Sequence, residues 1–190
     1  LNGFREKFIF PNFHKNKVIY FTGNSLGLQP VTTRQVIMEE LDDWGKFGVE
    51  GHFMSRRPWY SYHEQLTELS AYVVGAKPIE TVVTHSLTTN IHLLMVSFYQ
   101  PVGNRTKILC EKKAFPSDQY ALMSQLEFHG YDKAHLIEVG PREGEETIRH
   151  EDILKAIKEN KDELALVFMG GVNYYTCLLY TSPSPRDRSI

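Results

Sequence analysis

The chain has 190 residues, 42% of them hydrophobic and 23% charged, which excludes disorder and is enough for a buried core. Lysine plus arginine number 21 against 23 for aspartate plus glutamate, a formal net charge of -2 with the signs interspersed, which excludes the one-sided charge of a nucleic-acid or anionic-lipid binder. No run approaches the roughly 18 to 20 uninterrupted apolar residues of a membrane helix, no basic and then apolar leader opens the chain, and two cysteines make no disulfide framework, so a cytoplasmic protein is expected.

In chain order, Val18 to Phe21 reads as a short strand feeding a glycine-bearing loop at Gly23, Gly27 and Pro30. A helix follows, capped by Thr32 or Thr33, with Ile37, Leu41, Trp44 and Gly48 on one face and acidic residues on the other. A loop carrying His52, Arg56, Arg57 and Pro58 leads to a second amphipathic helix through Tyr62, Leu66, Leu69 and Val73, stopped by Gly75. Ile79 to Val83 reads as a strand, and Asn90 to Phe98, apolar on most sides, as a buried helix.

Lys107 to Cys110 is a short apolar strand, and Ser117 is expected to cap a helix that runs to His129 and ends at Gly130. Leu136 to Val139 and Leu164 to Met169 read as further strands, with an amphipathic helix through Ile153, Leu154 and Ile157 between them. Strands without alternation, separated by helices, predict an α/β fold with a mostly parallel sheet and helices on both faces. Such folds bind ligands at the carboxyl ends of their strands.

Three strand-to-helix junctions are chemically informative. Thr84 to Asn90 places hydroxyls and free N–H groups at a helix start, which suits a phosphate, although plain capping by Ser86 or Thr88 accounts for the same residues. Phe115, made rigid by Pro116, can stack on a flat heteroaromatic ring with Asp118 at its edge; core packing and a first-turn carboxylate are the ordinary alternatives. Gly170 to Thr176 offers close backbone approach and tyrosine hydroxyls. A rival motif, GNSLG from Gly23 to Gly27, matches the nucleophile elbow of serine hydrolases, with Ser25 as nucleophile. Pro30 disfavours it, because the helix that must begin directly after the serine would meet the proline in its second turn. No HExxH, Cys/His metal spacing, P-loop or strand-borne G-x-G-x-x-G is present.

From Cys177 to Asp187 the string CLLYTSPSPRD has no periodicity and matches, codon for codon, the translation of a transposase sequencing adapter, so residues 177–190 are read as an artefactual tail.

Six collinear segments resemble the kynureninase family: IYFTGNSLGLQP from Ile19, GHFMSRRPW from Gly51, SLTTNIHLL from Ser86, EKKAFPSDQYA from Glu111, PREGEETIRHEDI from Pro141 and GVNYYT from Gly171. The resemblance implies a homodimeric fold-type I enzyme that uses pyridoxal 5'-phosphate to hydrolyse kynurenine or 3-hydroxykynurenine, giving anthranilate or 3-hydroxyanthranilate plus alanine in tryptophan catabolism. It implies that Leu87 and Thr88 hold the cofactor phosphate, Phe115 stacks on the pyridine ring, Asp118 lies beside it, and Tyr175 is near the phosphate. Gly170 stands where relatives can carry a serine that touches the cofactor, and Ser25 and His52 match substrate-lining positions. By the same resemblance the Schiff-base lysine, the aspartate facing the pyridine nitrogen and the arginine for the substrate carboxylate lie beyond Thr176, so the sheet is expected to be incomplete and the chain to be an N-terminal fragment without the lysine. Residues 1–60 then carry the substrate-side loops and residues 61–176 begin the large cofactor-binding domain.

Overall fold

The computed structural model describes residues 2–179. The backbone clusters into two compact units, with the boundary between Val83 and Thr84.

The first unit opens with one helical turn, α1 (Asn2–Arg5), and a hairpin of β1 (Asn12–Phe13) and β2 (Asn16–Lys17). His14 and Lys15 at its tip both have positive φ, as a type I′ two-residue turn requires. Val18 to Phe21, expected as a strand, is not one. The ladder-like pairing in this region belongs to other residues: Ile9 donates to the Gln29 carbonyl at 2.8 Å and Val31 to the Lys7 carbonyl at 3.0 Å.

Helix α2 (Thr33–Phe47) forms where the periodicity places it and ends at Gly48, whose φ of 53° lets its N–H turn back to the Trp44 carbonyl. Thr32 occupies the N-cap position but makes no side-chain cap bond. The burial is inverted from expectation: Ile37, Leu41 and Trp44 are exposed in this unit, and the buried residue of α2 is Asp43, 3% exposed. Asp43 tolerates burial because its Oδ2 accepts the Arg56 N–H at 2.8 Å and the Arg56 guanidinium lies 3.8 Å from Oδ1.

The expected loop around His52 is instead a 3-10 turn, Gly48–Glu50, running directly into α3 (Gly51–Met54), so His52 sits on helical backbone. Helix α4 (Glu64–Val74) stops at Gly75 (φ 68°), with the Ala76 N–H closing a Schellman turn on the Ala71 carbonyl at 2.9 Å. The strand expected at Ile79 to Val83 is a 3-10 turn, Pro78–Glu80, followed by unpaired chain. The Glu80 carboxylate accepts the Lys77 N–H at 2.9 Å and Pro78 supplies the fixed φ, so local capping wins over β propensity.

The second unit is an α/β sandwich. Helix α5 (Leu87–Phe98), strand β3 (Lys107–Glu111), helix α6 (Pro116–Phe128), strand β4 (Leu136–Val139), helix α7 (His150–Glu159) and strand β5 (Leu164–Phe168) alternate along the chain. The sheet order is β4-β3-β5, parallel throughout. The pleat of central β3 divides the core: Ile108 and Cys110 face α5 and α6, packing on Met95, Leu122 and Leu126, whereas Leu109 faces α7, packing with Ile148 and Ile153. Helices thus cover both faces, as the sequence pattern predicts.

Helix α5 buries Ile91 and Met95 but leaves Leu93, Leu94, Val96 and Phe98 exposed, so it is half-covered within this unit rather than buried all round. Tyr99, after α5, is fully buried and donates its hydroxyl hydrogen to the Thr106 carbonyl at 2.7 Å, which anchors the crossover into β3. Ser117 does not cap α6; Pro116 takes the first helical position, where its missing N–H costs nothing, and Phe115 is the N-cap.

Candidate active site

The carboxyl ends of β3 and β5 lead into the polar residues of the candidate site. β3 delivers Glu111, and four residues later Phe115 enters α6 with ψ 135°, the extended value that a following proline enforces. Phe115 is 49% exposed, and Tyr174 meets it in a T-shaped contact with ring centroids 5.2 Å apart. One turn on, the Asp118 N–H bonds the Phe115 carbonyl at 2.9 Å and its Oδ1 accepts the Ser117 hydroxyl at 3.2 Å. Phe115, Asp118, Gly170 and Tyr174 line one small cleft of about 60 Å³ together with Glu111 and Phe168.

Sequence reasoning missed the two residues that build this cleft. Glu111 is buried, and its Oε2 accepts the Asn173 side-chain N–H at 2.8 Å. The Asn173 Oδ1 in turn accepts the backbone N–H groups of Tyr175 and Thr176 at 2.9 and 2.8 Å and the Thr176 hydroxyl at 3.1 Å. Asn173 therefore folds the loop after β5 on itself, and Glu111 pins that loop to the end of β3, which sets Tyr174 against Phe115. The available signal was a carboxylate directly after the apolar run Ile108 to Cys110. A Cβ on Gly170 would lie 3.3 Å from the Val172 carbonyl oxygen and 3.7 Å from a Glu111 oxygen, so glycine permits this close turn. Burial pushes the neighbouring Cys110 thiol up to about 12, so it is a core group and not a nucleophile near neutral pH.

Beside this cleft lies a larger cavity of about 530 Å³, which shares Tyr174 and is lined also by Lys112, Lys113, Glu145, Tyr175 and Thr176. Tyr175 is 85% exposed here. The far wall is the segment before α7, where Arg142 binds Asp152 at 2.7 Å and Glu151 at 2.8 Å, and Arg149 pairs with Glu145. Arg142 beside Asp152 holds that carboxyl below the usual carboxylate range.

The start of α5 is a separate donor set. The Ser86 Oγ accepts the Thr89 N–H at 3.3 Å, and the Asn90 N–H goes to the Ser86 carbonyl. That leaves the N–H groups of Leu87 and Thr88 and the Thr88 hydroxyl without hydrogen bonds among the described residues. Three unspent donors at a helix N-terminus are the chemistry that suits a phosphate, and they are not the groups that Ser86 caps. Leu87 and Thr88 line neither of the two cavities above.

Ser25 and His52 belong to the first unit. Residues 23–25 form a turn, with the Ser25 N–H on the Thr22 carbonyl at 2.9 Å; no strand leads directly into it and no helix begins between it and Thr33. No histidine or carboxylate hydrogen-bonds Ser25 among the described residues, so the nucleophile-elbow geometry is not formed.

His52 lies 2.8 Å through Nδ1 from the Val49 carbonyl and meets Trp59 edge-on, ring centroids 5.4 Å apart. Trp59 itself lies on Gly51, where an added Cβ would come within 2.4 Å of the indole ring. Gly51→Ala should lower the urea midpoint of the chain, because overpacking of about 1–3 kcal/mol outweighs the roughly 1 kcal/mol that alanine gains in a helix. A midpoint that rises would show that Trp59 moves aside freely.

No family model matches the chain. It is 56% identical over 177 residues to the kynureninase of Flavobacterium johnsoniae and 55% identical over 178 residues to that of Myxococcus xanthus, in each case across 93% of this chain and 42% of the relative. The kynureninase of Mus musculus is 47% identical over 167 residues, 87% of this chain and 36% of the mouse protein. The chain spans about two fifths of the length of the relatives it matches. On that similarity the chain belongs among the homologues of kynureninase.

Proposed function

We propose that the chain is part of a pyridoxal-phosphate-dependent kynureninase, a cytoplasmic homodimeric hydrolase that cleaves the Cβ–Cγ bond of kynurenine or 3-hydroxykynurenine, releasing the aryl acid and alanine for tryptophan catabolism and the NAD biosynthesis it feeds. The observation that carries the reading is identity near 50% to enzymes of that name across most of the chain. On this reading residues 61–176 begin the cofactor-binding domain, and residues 1–60 bear the substrate-side loops.

The donor chemistry supports a ligand that carries a phosphate. The free N–H groups of Leu87 and Thr88 and the Thr88 hydroxyl would take its phosphate, with the dipole of α5 adding to the attraction and Tyr175 contributing its hydroxyl. Phe115 would lie against the pyridine ring and Asp118 beside it, with Gly170 lining the same cleft. When bound, pyridoxal phosphate supplies an electron-poor ring that stabilises negative charge at the substrate Cα. The chain's own work in this scheme is to bind, orient and exclude water. Ser25 and His52 would line the aryl end of the substrate. Reconstituting the intact enzyme and following anthranilate fluorescence tests the reading, and absence of product from both kynurenines would sink it.

His52 carries a sharper expectation. A carbonyl oxygen only accepts hydrogen bonds, so the contact to Val49 places the His52 proton on Nδ1 and leaves Nε2 as an acceptor in the neutral ring. That acceptor suits the hydroxyl of 3-hydroxykynurenine, which kynurenine lacks. Replacing His52 by Ala in the intact enzyme should lower kcat/KM for 3-hydroxykynurenine relative to kynurenine by roughly 2- to 10-fold, the scale of one net hydrogen bond. Equal losses on both substrates would reduce His52 to a structural residue.

A further inference from the structure

We propose that Trp59 is a positioning residue for His52: seated on Gly51 and anchored to Glu40, it fixes the imidazole plane so that Nδ1–H stays on the Val49 carbonyl and Nε2 stays presented as an acceptor. The inference rests on the reading of His52 as a substrate contact for its kinetic consequence, but not for its structural content.

The linkage is continuous in one compact unit. Glu40 on α2 is a two-sided anchor: its Oε1 accepts from the Arg57 Nε at 2.6 Å and its Oε2 accepts from the Trp59 Nε1 at 3.0 Å. Arg57 is itself fixed, with Glu39 at 3.0 Å and the Ser55 hydroxyl donating to the Arg57 carbonyl at 2.7 Å. The Asp43 carboxylate ties the adjacent Arg56 backbone to the same helix. The indole is thereby held at its polar end, while its six-membered ring rests on the bare Cα of Gly51. Its edge-on contact at 74° then confronts the ring of the very next residue, His52.

The Tyr60 N–H donates to the His52 carbonyl at 3.1 Å, which closes the strap over α3 and fixes the His52 backbone. With backbone and neighbouring ring both fixed, what remains free in His52 is rotation about its two side-chain bonds. Turning the ring over would set a C–H against the Val49 carbonyl and changing the tautomer a bare nitrogen, and the Trp59 ring stands edge-on beside the imidazole on the path of that rotation. The motif GHFMSRRPW is accordingly a single device: glycine as seat, tryptophan as wall, and the two arginines fastening it to the acidic face of α2.

The structural arm of the test uses the 190-residue chain labelled with ¹⁵N-histidine. Two-bond ¹H–¹⁵N correlation spectra at a pH where the imidazole is neutral identify its tautomer, with His52→Asn assigning the signal. The native chain should show a single Nδ1–H form; Trp59→Phe, which keeps a ring but loses the bond to Glu40, and Glu40→Ala, which keeps the indole but removes its anchor, should both give a mixed tautomer. Retention of the pure Nδ1–H form in both variants overturns the proposal.

The kinetic arm uses the intact enzyme. Trp59→Phe should lower the ratio of kcat/KM for 3-hydroxykynurenine over kynurenine by roughly 2- to 10-fold, whereas a merely structural tryptophan would depress both alike. If His52→Ala leaves that ratio unmoved while the variants still mix the tautomer, the substrate reading fails and the positioning stands. If His52→Ala moves the ratio and Trp59→Phe moves neither ratio nor tautomer, the reading stands and the positioning fails.

Discussion

The 190-residue chain saturated with pyridoxal phosphate should form no anthranilate from kynurenine. The lysines nearest the candidate cofactor cleft in sequence are Lys112 and Lys113, and both line the larger neighbouring cavity rather than the cleft of Phe115 and Asp118. The stem of Lys112 packs over Gly140, where an added Cβ would meet its Cδ at 2.9 Å, and its N–H is bonded to the Val139 carbonyl at 2.7 Å. Lys113 has φ 59°, a left-handed turn that carries the chain on toward Phe115. On the proposed function, neither lysine lines the cleft that would take the ring, so neither is expected to serve as covalent anchor or as the base that shuttles the Cα proton. Losing a group with both duties costs several powers of ten. Borohydride reduction of the loaded chain followed by peptide mass spectrometry checks the point: a stoichiometric pyridoxyl adduct on Lys112 or Lys113, accompanied by product, would overturn it.

Legibility from sequence followed how locally each element is determined. Strands β3, β4 and β5 are short, mostly apolar runs, β3 buried and its two neighbours half-buried, and α7 has a clean apolar stripe, so composition and periodicity located all four. Val18 to Phe21 and Ile79 to Val83 have the same β-rich composition but no partner strand, and pairing is what separates a strand from extended chain. Periodicity likewise found the two faces of α2 but not which is covered, because that depends on Arg56, Arg57 and Trp59 arriving from 13 to 19 residues away. Of the candidate site, Phe115, Asp118 and Gly170 come from two separate junctions and line one cleft. Glu111 and Asn173, which assemble it across 62 residues, carry no local pattern that would announce a pair.

Phe115→Ala in the intact enzyme should weaken pyridoxal phosphate binding by about 1–3 kcal/mol. The ring is 49% exposed, so of the roughly 150–250 Å² that an aromatic side chain can bury, about half is available to a ligand. One stacked face covers part of that area, about 1 kcal/mol at about 25 cal/mol per Å², and aromatic geometry adds about 0.5–1.5 kcal/mol. The substitution also removes the partner of Tyr174, whose contact helps hold the loop that Asn173 folds. Tyr174→Ala separates the two effects, because it removes the edge contact and leaves the Phe115 ring in place. Cofactor titration by absorbance should therefore show weakening of roughly 5- to 150-fold for Phe115→Ala and a much smaller change for Tyr174→Ala. Equal weakening by both would assign the loss to the loop rather than to stacking, and unchanged affinity in Phe115→Ala would remove the stacking role altogether.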